Sequence, residues 1–219
     1  AFFGVSHEVS SPVAAVAFLG LDMLKALVLT LNAFSQFETA AMDGITLEQV
    51  WKHSLFTAAT ARQIAALEGA KRNVVEESFV AGLLHDTGKL ILALCFPEPY
   101  AKVVRRAREL QMELSLFELQ KFGATHADVG SYLLGLWGLP ATVVEAIALH
   151  HDPSRAVRKF FTPLTAVHAA NVLVQEKRGA DTGALPARFD EGYLRDLGLS
   201  DRPAIWKQAL KNSLAPNWA

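Results

Sequence analysis

Six side chains of metal-ligating type stand out in this chain: His53, His85, Asp86, His126, His150 and His151. His85 and Asp86 lie with Lys89 inside Ser78–Leu94, a stretch that is apolar almost all the way round a helix. Such a pattern marks a buried central helix. A charge in that setting persists only when it is paired, hydrogen-bonded or metal-bound. Adjacent residues on a helix point about 100° apart. His85 and Asp86 can therefore share one centre only if it sits close to the backbone, an approach that Gly82 and Gly88 permit. The plainer alternative is a buried His–Asp hydrogen bond that fixes helix packing.

The other histidines each have an ordinary reading too. His53 falls on the stripe Val50, His53, Thr57, Ala61, Ile64, one face of a helix, where a lone histidine is commonly satisfied by a backbone carbonyl. His126 sits in the first turn of a helix after Gly123, a capping or surface position. His150 and His151 close a helix, where the macrodipole favours a cation. His168 and Asn171 lie one turn apart and face either core or solvent, and His7 has no context beyond a loop. Taken together, histidines and a carboxylate arriving from several helices are how helical bundles build metal sites. These ligands suit iron, zinc or manganese. Such a metal lowers the pKa of bound water and polarises a phosphoryl oxygen, the chemistry of phosphoester hydrolysis.

The elements that must position these groups are helices. The 219 residues suffice for one sizeable core, and strand signals are nearly absent, so the expected fold is all-α. Pro12 to about Phe37 reads as one or two helices, with Asp22 and Lys25 marking a buried rather than membrane-spanning segment. Thr46-Leu47-Glu48-Gln49 is a capping box opening a helix to about Glu68. Asn73…Glu76 repeats the device before the central helix, and Ser115…Glu118 before a short helix closed by Gly123. Pro97 and Pro140 start further helices. Thr162-Pro163 opens Leu164–Lys177, Gly179–Pro186 reads as a loop, and short helices are expected near Glu191–Leu197 and Pro203–Lys211.

A net charge of −1 gives no argument for DNA or an anionic membrane as partner. Lys102, Arg105, Arg106 and Arg108 read as one solvated helix face. The single cysteine, Cys95, excludes an internal disulfide, and with no visible signal peptide the expected location is cytoplasmic. The start at Ala1-Phe2-Phe3-Gly4, without methionine, reads as a piece of something longer.

At these residues the chain resembles the HD superfamily of metal-dependent phosphohydrolases and, within it, the HDOD (HD-related output domain) family. Phe2-Phe3-Gly4, Ser11-Pro12 and Leu19-Gly20 look like the family's early segment, and Trp51-Lys52-His53-Ser54 like its first-histidine helix. Ala81-Gly82-Leu83-Leu84-His85-Asp86-Thr87-Gly88-Lys89 looks like the signature. Phe122-Gly123, His126-Ala127-Asp128-Val129-Gly130, Trp137-Gly138-Leu139-Pro140 and His150-His151-Asp152-Pro153 complete a likeness over roughly residues 2 to 175. It implies a multi-helix HD-superfamily bundle missing its N-terminal helices. The HDOD domain would span 1–178, with a loop and C-terminal helices over 179–219 packed on the same domain.

The resemblance also implies a bacterial signal-transduction module, coupled to an upstream sensory or receiver domain and to signalling protein partners. Enzymatic relatives such as the HD-GYP phosphodiesterases carry a comparable ligand set. Carried over, His53, His85, Asp86, His126, His150, His151 and Asn171 occupy ligand positions, and Lys89 matches the lysine that contacts the scissile phosphate. Two departures stand out. Asn171 replaces the final aspartate, and Asp152-Pro153-Ser154-Arg155 follows the paired histidines where Gly-Tyr-Pro is absent. The expected function is a regulatory output domain without phosphohydrolase turnover, whose His/Asp pocket binds a divalent metal (Fe, Mn or Zn). The alternative is a metal-dependent phosphodiesterase acting on a nucleotide or cyclic dinucleotide, with Lys89 and Asp86 in catalysis. A homodimerisation module with a vestigial site is the third reading.

Overall fold

Thr46 begins the described structure as the cap of a long helix. Its hydroxyl accepts the Gln49 N–H while the Gln49 side chain returns to the Thr46 N–H, the capping box expected from the sequence. The structure, a computed structural model, describes residues 46–182 and 187–213. Its helices are α1 (Leu47–Leu67), α2 (Arg72–Leu84), α3 (Thr87–Cys95), α4 (Pro97–Leu110), α5 (Leu114–Phe122), α6 (His126–Leu136), α7 (Ala141–Leu149), α8 (Pro163–Thr182), α9 (Glu191–Asp196) and α10 (Arg202–Ser213). A 3₁₀ turn at Pro153–Arg155 follows α7, and the described residues contain no strand. His7, the Pro12–Phe37 helices and the early motifs lie outside the described residues.

Among the described residues, two apolar clusters join the helices. The larger joins Ala61 and Ile64 of α1, Phe79 and Leu83 of α2, Ile147 of α7 and Val167 of α8 to Tyr193 and Trp206 from α9 and α10. The smaller gathers Leu92, Ala93, Tyr100 and Val104 against Leu114, Phe122 and Val129. At the far end from His53, Glu68 Oε1 accepts from Arg202 Nε at 2.8 Å and Trp206 Nε1 at 2.7 Å, fastening α10 to α1.

The central helix is not continuous. It ends at Leu84 and restarts at Thr87, so His85 and Asp86 form a joint between α2 and α3. The segment Arg72–Cys95 is apolar enough to cross a membrane by composition, yet 78% of its most apolar window is buried within the fold, and the joint interrupts it. Other boundaries also differ from the sequence reading. α2 begins at Arg72 without a side-chain cap, so Asn73…Glu76 is no capping box. α5 begins at Leu114, which places Ser115 and Glu118 inside the helix. α8 runs through Gly179 to Thr182.

Gly82 and Gly88 serve helix contact rather than approach to a central group. A Cβ on Gly82 would come within 2.7 Å of the Ala58 Cα on α1. One on Gly88 would collide with the His126 carbonyl and lie 2.9 Å from the Gly130 nitrogen on α6. These contacts set how closely the helix bearing His53 approaches the one ending at His85, and how closely α3 approaches the one bearing His126.

Candidate metal centre

The break between α2 and α3 lets the two signature residues converge. In place of the roughly 100° divergence of helical neighbours, His85 Nε2 lies 3.4 Å from Asp86 Oδ2. His85 Nδ1 donates to the Gly82 carbonyl at 2.8 Å, one turn back on α2, and so leaves the Nε2 lone pair facing the carboxylate. His150 repeats the device at the end of α7, where Nδ1 donates to the Ile147 carbonyl at 2.7 Å. Neither ring behaves as an exposed cation at a helix end; both are fully enclosed.

Asp86 stands between two sets of ligands. Its Oδ2 faces His53 Nε2 at 3.7 Å and His85, while its Oδ1 faces His126 Nε2 at 3.4 Å and His150 Nε2 at 3.9 Å. The donor atoms of His53, His85 and Asp86 lie within 4.8 Å of one another, as do those of His126, His150 and His151. Asn171 on α8 joins the first set, with Oδ1 2.9 Å from His53 Nε2. All seven positions expected of the site therefore meet in one pocket. Lys89, one turn into α3, places Nζ 2.7 Å from Asp86 Oδ2.

Among the buried polar atoms without a hydrogen-bond partner are His85 Nε2, Asp86 Oδ1 and His150 Nε2. Leaving such an atom unsatisfied costs about 1–3 kcal/mol. Gathered around Asp86, they fit a cation, which would satisfy their lone pairs. The donor set of imidazoles and carboxylate suits a borderline first-row metal.

The electrostatics agree. Burial pushes His53 down to about 3. Burial likewise lowers His85, and lowers His150 and His151 well below the ordinary imidazole range, so all four rings are neutral. Burial alone would raise the Asp86 carboxyl, but His85 and Lys89 beside it outweigh this and hold it well below its usual value. His126 is the exception. Burial would lower it, yet the Glu118 carboxylate raises it.

The sequence reads Glu118 only as part of a cap and gives its partner Tyr100 no role. Glu118 is fully buried, accepts from Tyr100 Oη at 2.8 Å and lies 2.6 Å from His126 Nδ1. The available signal was spacing: Leu114, Glu118 and Phe122 recur every fourth residue, which puts the acid on the apolar face of α5. His168 lies outside the pocket. Its Nδ1 donates to the His150 carbonyl at 2.9 Å and its Nε2 accepts from the Asp190 N–H at 3.0 Å, which anchors the end of α7.

A family model for the HDOD domain matches residues 1–153. Among curated proteins, an uncharacterised protein of Treponema pallidum is 23% identical over 79% of this chain, and ribonuclease Y of Thermus thermophilus is 30% identical over 72%. The matched regions span 33% and 21% of those longer proteins. Among solved structures, an HDOD domain protein of unknown function from Geobacter sulfurreducens superposes with a TM-score of 0.69 at 24% identity. It covers 96% of this chain and 74% of its own. A candidate signal transduction protein from Marinobacter aquaeolei VT8 gives 0.72 at 22% identity, over 97% of this chain and 46% of its own.

Proposed function

The chain belongs to the HDOD family, and on that premise we propose that it is a regulatory signal-transduction domain whose His/Asp pocket binds a divalent metal without phosphohydrolase turnover. The observation that carries this reading is that the group α8 brings to His53 is the neutral amide of Asn171, at 2.9 Å, so Asp86 is the carboxylate His53 shares with the other histidines. A neutral amide leaves the pocket poor in negative charge for activating a hydroxide and balancing phosphoester chemistry. Lys89 is spent on Asp86 in this arrangement instead of standing free for a phosphate.

In this reading the cation sits in the pocket formed by His53, His85, Asp86, His126, His150 and His151, with Asp86 supplying the carboxylate. A metal of iron, manganese or zinc type adds Lewis acidity and a fixed positive charge. Glu118 orients the His126 ring, and the backbone carbonyls of Gly82 and Ile147 orient His85 and His150. The helical body then presents the loaded or unloaded pocket to signalling proteins, to an attached sensory or receiver domain, or to a second copy, in the cytoplasm.

The convergence of orphaned ligand atoms on Asp86 also supports the alternative, a phosphodiesterase acting on a nucleotide or cyclic dinucleotide with Lys89 contacting the phosphate. The two separate on one experiment. Protein purified without a histidine tag is loaded with iron, manganese or zinc and assayed against bis(p-nitrophenyl) phosphate, cyclic dinucleotides and RNA. The regulatory reading expects bound metal and no hydrolysis above a His85→Ala control. Hydrolysis that His85→Ala abolishes overturns it in favour of the enzyme, and absence of metal removes the pocket's role in both.

A further inference from the structure

The pocket is not symmetric about Asp86. Distances between ligand atoms do not distinguish its halves: around a tetrahedral ion with bonds of 2.0–2.1 Å such atoms stand about 3.3–3.4 Å apart. The His126–Asp86 Oδ1 separation of 3.4 Å and the His85–Asp86 Oδ2 separation of 3.4 Å both fit. Charge and protons do distinguish them. Asp86 Oδ2, on the His53/His85 side, already holds the Lys89 ammonium at 2.7 Å, whereas Oδ1 faces the imidazoles of His126 at 3.4 Å and His150 at 3.9 Å.

His53 is engaged as well. The Gln175 amide donates to Asn171 Oδ1 at 2.9 Å and so fixes that oxygen as the atom facing His53 Nε2, also at 2.9 Å. An oxygen accepts, so His53 Nε2 carries the hydrogen and its lone pair lies on the nitrogen turned away from Asp86. On the opposite side Glu118 backs His126, giving that half two carboxylates with Asp86, enough for one dication. The His53 half has a resident ammonium and no carboxylate of its own.

We propose that the chain holds a single divalent cation, ligated by His126, His150, His151 and Asp86 Oδ1, and that His53, His85 and Asn171 form a closed half that takes no second ion. The inference rests on the metal-binding reading above and specifies its stoichiometry and place. Binding breaks the 3.0 Å contact between His126 Nε2 and His151 Nε2, because each nitrogen then turns a lone pair to the ion.

The test is metal content and calorimetric titration of the apo full chain with zinc or manganese, with the folding of every variant confirmed by circular dichroism. Wild type is expected to bind one equivalent. His53→Gln keeps that equivalent, His151→Gln weakens it at least about 10-fold, and Asn171→Asp gains a second. X-ray absorption of the zinc form should show three imidazoles in the first shell. Two equivalents in wild type, or loss of the ion in His53→Gln with retention in His151→Gln, overturns the assignment while leaving metal binding intact. No metal in wild type or in Asn171→Asp overturns both this assignment and the reading beneath it.

Discussion

Glu118 Oε2 takes both the ring and the backbone of one histidine: it lies 2.6 Å from His126 Nδ1 and accepts the His126 N–H at 2.8 Å. The second contact satisfies one of the orphan donors at the start of α6, and the first fixes which ring nitrogen faces Asp86. One carboxylate oxygen therefore couples the position of a helix to the tautomer of a ligand. Tyr100 on α4 completes the chain through the other oxygen.

Glu118→Gln is expected to weaken metal binding by about 10- to 100-fold, the usual cost of removing an outer partner of a ligating histidine. Its amide oxygen still accepts from the His126 N–H, so the fold persists. The His126 pKa, followed by NMR, should fall from its raised value because the carboxylate that raises it is gone. An unchanged His126 titration together with unchanged affinity would sink this role.

Gly88→Ala places a methyl group against the His126 carbonyl and Gly130 backbone, neither of which can rotate aside. The expected loss is about 1–3 kcal/mol or more, read as a lower urea midpoint. Gly135→Ala, on α6 where it faces α7, is the control. Its Cβ meets only Val144 Cγ1 at 3.8 Å, and removing a helical glycine should be neutral or stabilising by about 0.5–1 kcal/mol. Equal effects of the two substitutions would contradict the close packing of α3 on α6.

Acid should destabilise the apo protein. The folded-state pKa of His53 is about 3 against 6.5 for the free group. Its contribution is therefore complete above pH 6.5 and is lost as pH falls from there toward 3. His85, His150 and His151 shift the same way. Each histidine that stays neutral only when folded adds about 1.4 kcal/mol per pH unit to the slope. His126 is raised, so its contribution is complete below 6.5 and is lost as pH rises through its folded value. Four rings outweigh one: urea midpoints of chelator-treated protein should drop steeply from about pH 6.5 to about pH 5, and His53→Gln should shallow the drop by about one histidine's share. A flat profile would show that the rings are not held neutral.

Much of the fold and pocket is legible in the sequence, for identifiable reasons. Thr46…Gln49 announces its helix because its cap is local. The histidines could be read as a set because each sat on or beside a helical face. The break at His85-Asp86 was hidden, since both flanks are apolar and no proline or left-handed glycine marks it. Glu118 was hidden for a different reason: its partner lies eight residues away around a turn, and Ser115…Glu118 imitates a cap that the structure does not use.

The C-terminal helices test whether body and pocket are separable. Glu68 lies 15 residues beyond His53 on α1, about 22 Å along a helix, and binds both Arg202 and Trp206. Glu68→Ala leaves the buried Trp206 indole N–H without its acceptor and removes the partner of Arg202. The expected cost is about 1–3 kcal/mol, seen as a lower thermal midpoint. Metal stoichiometry should not change, because no ligand lies on α10 and the ligand-bearing helices keep their contacts with one another. Loss of metal at a temperature where Glu68→Ala remains folded would instead mean that α10 holds the pocket together through α1, and that the two cannot be treated apart.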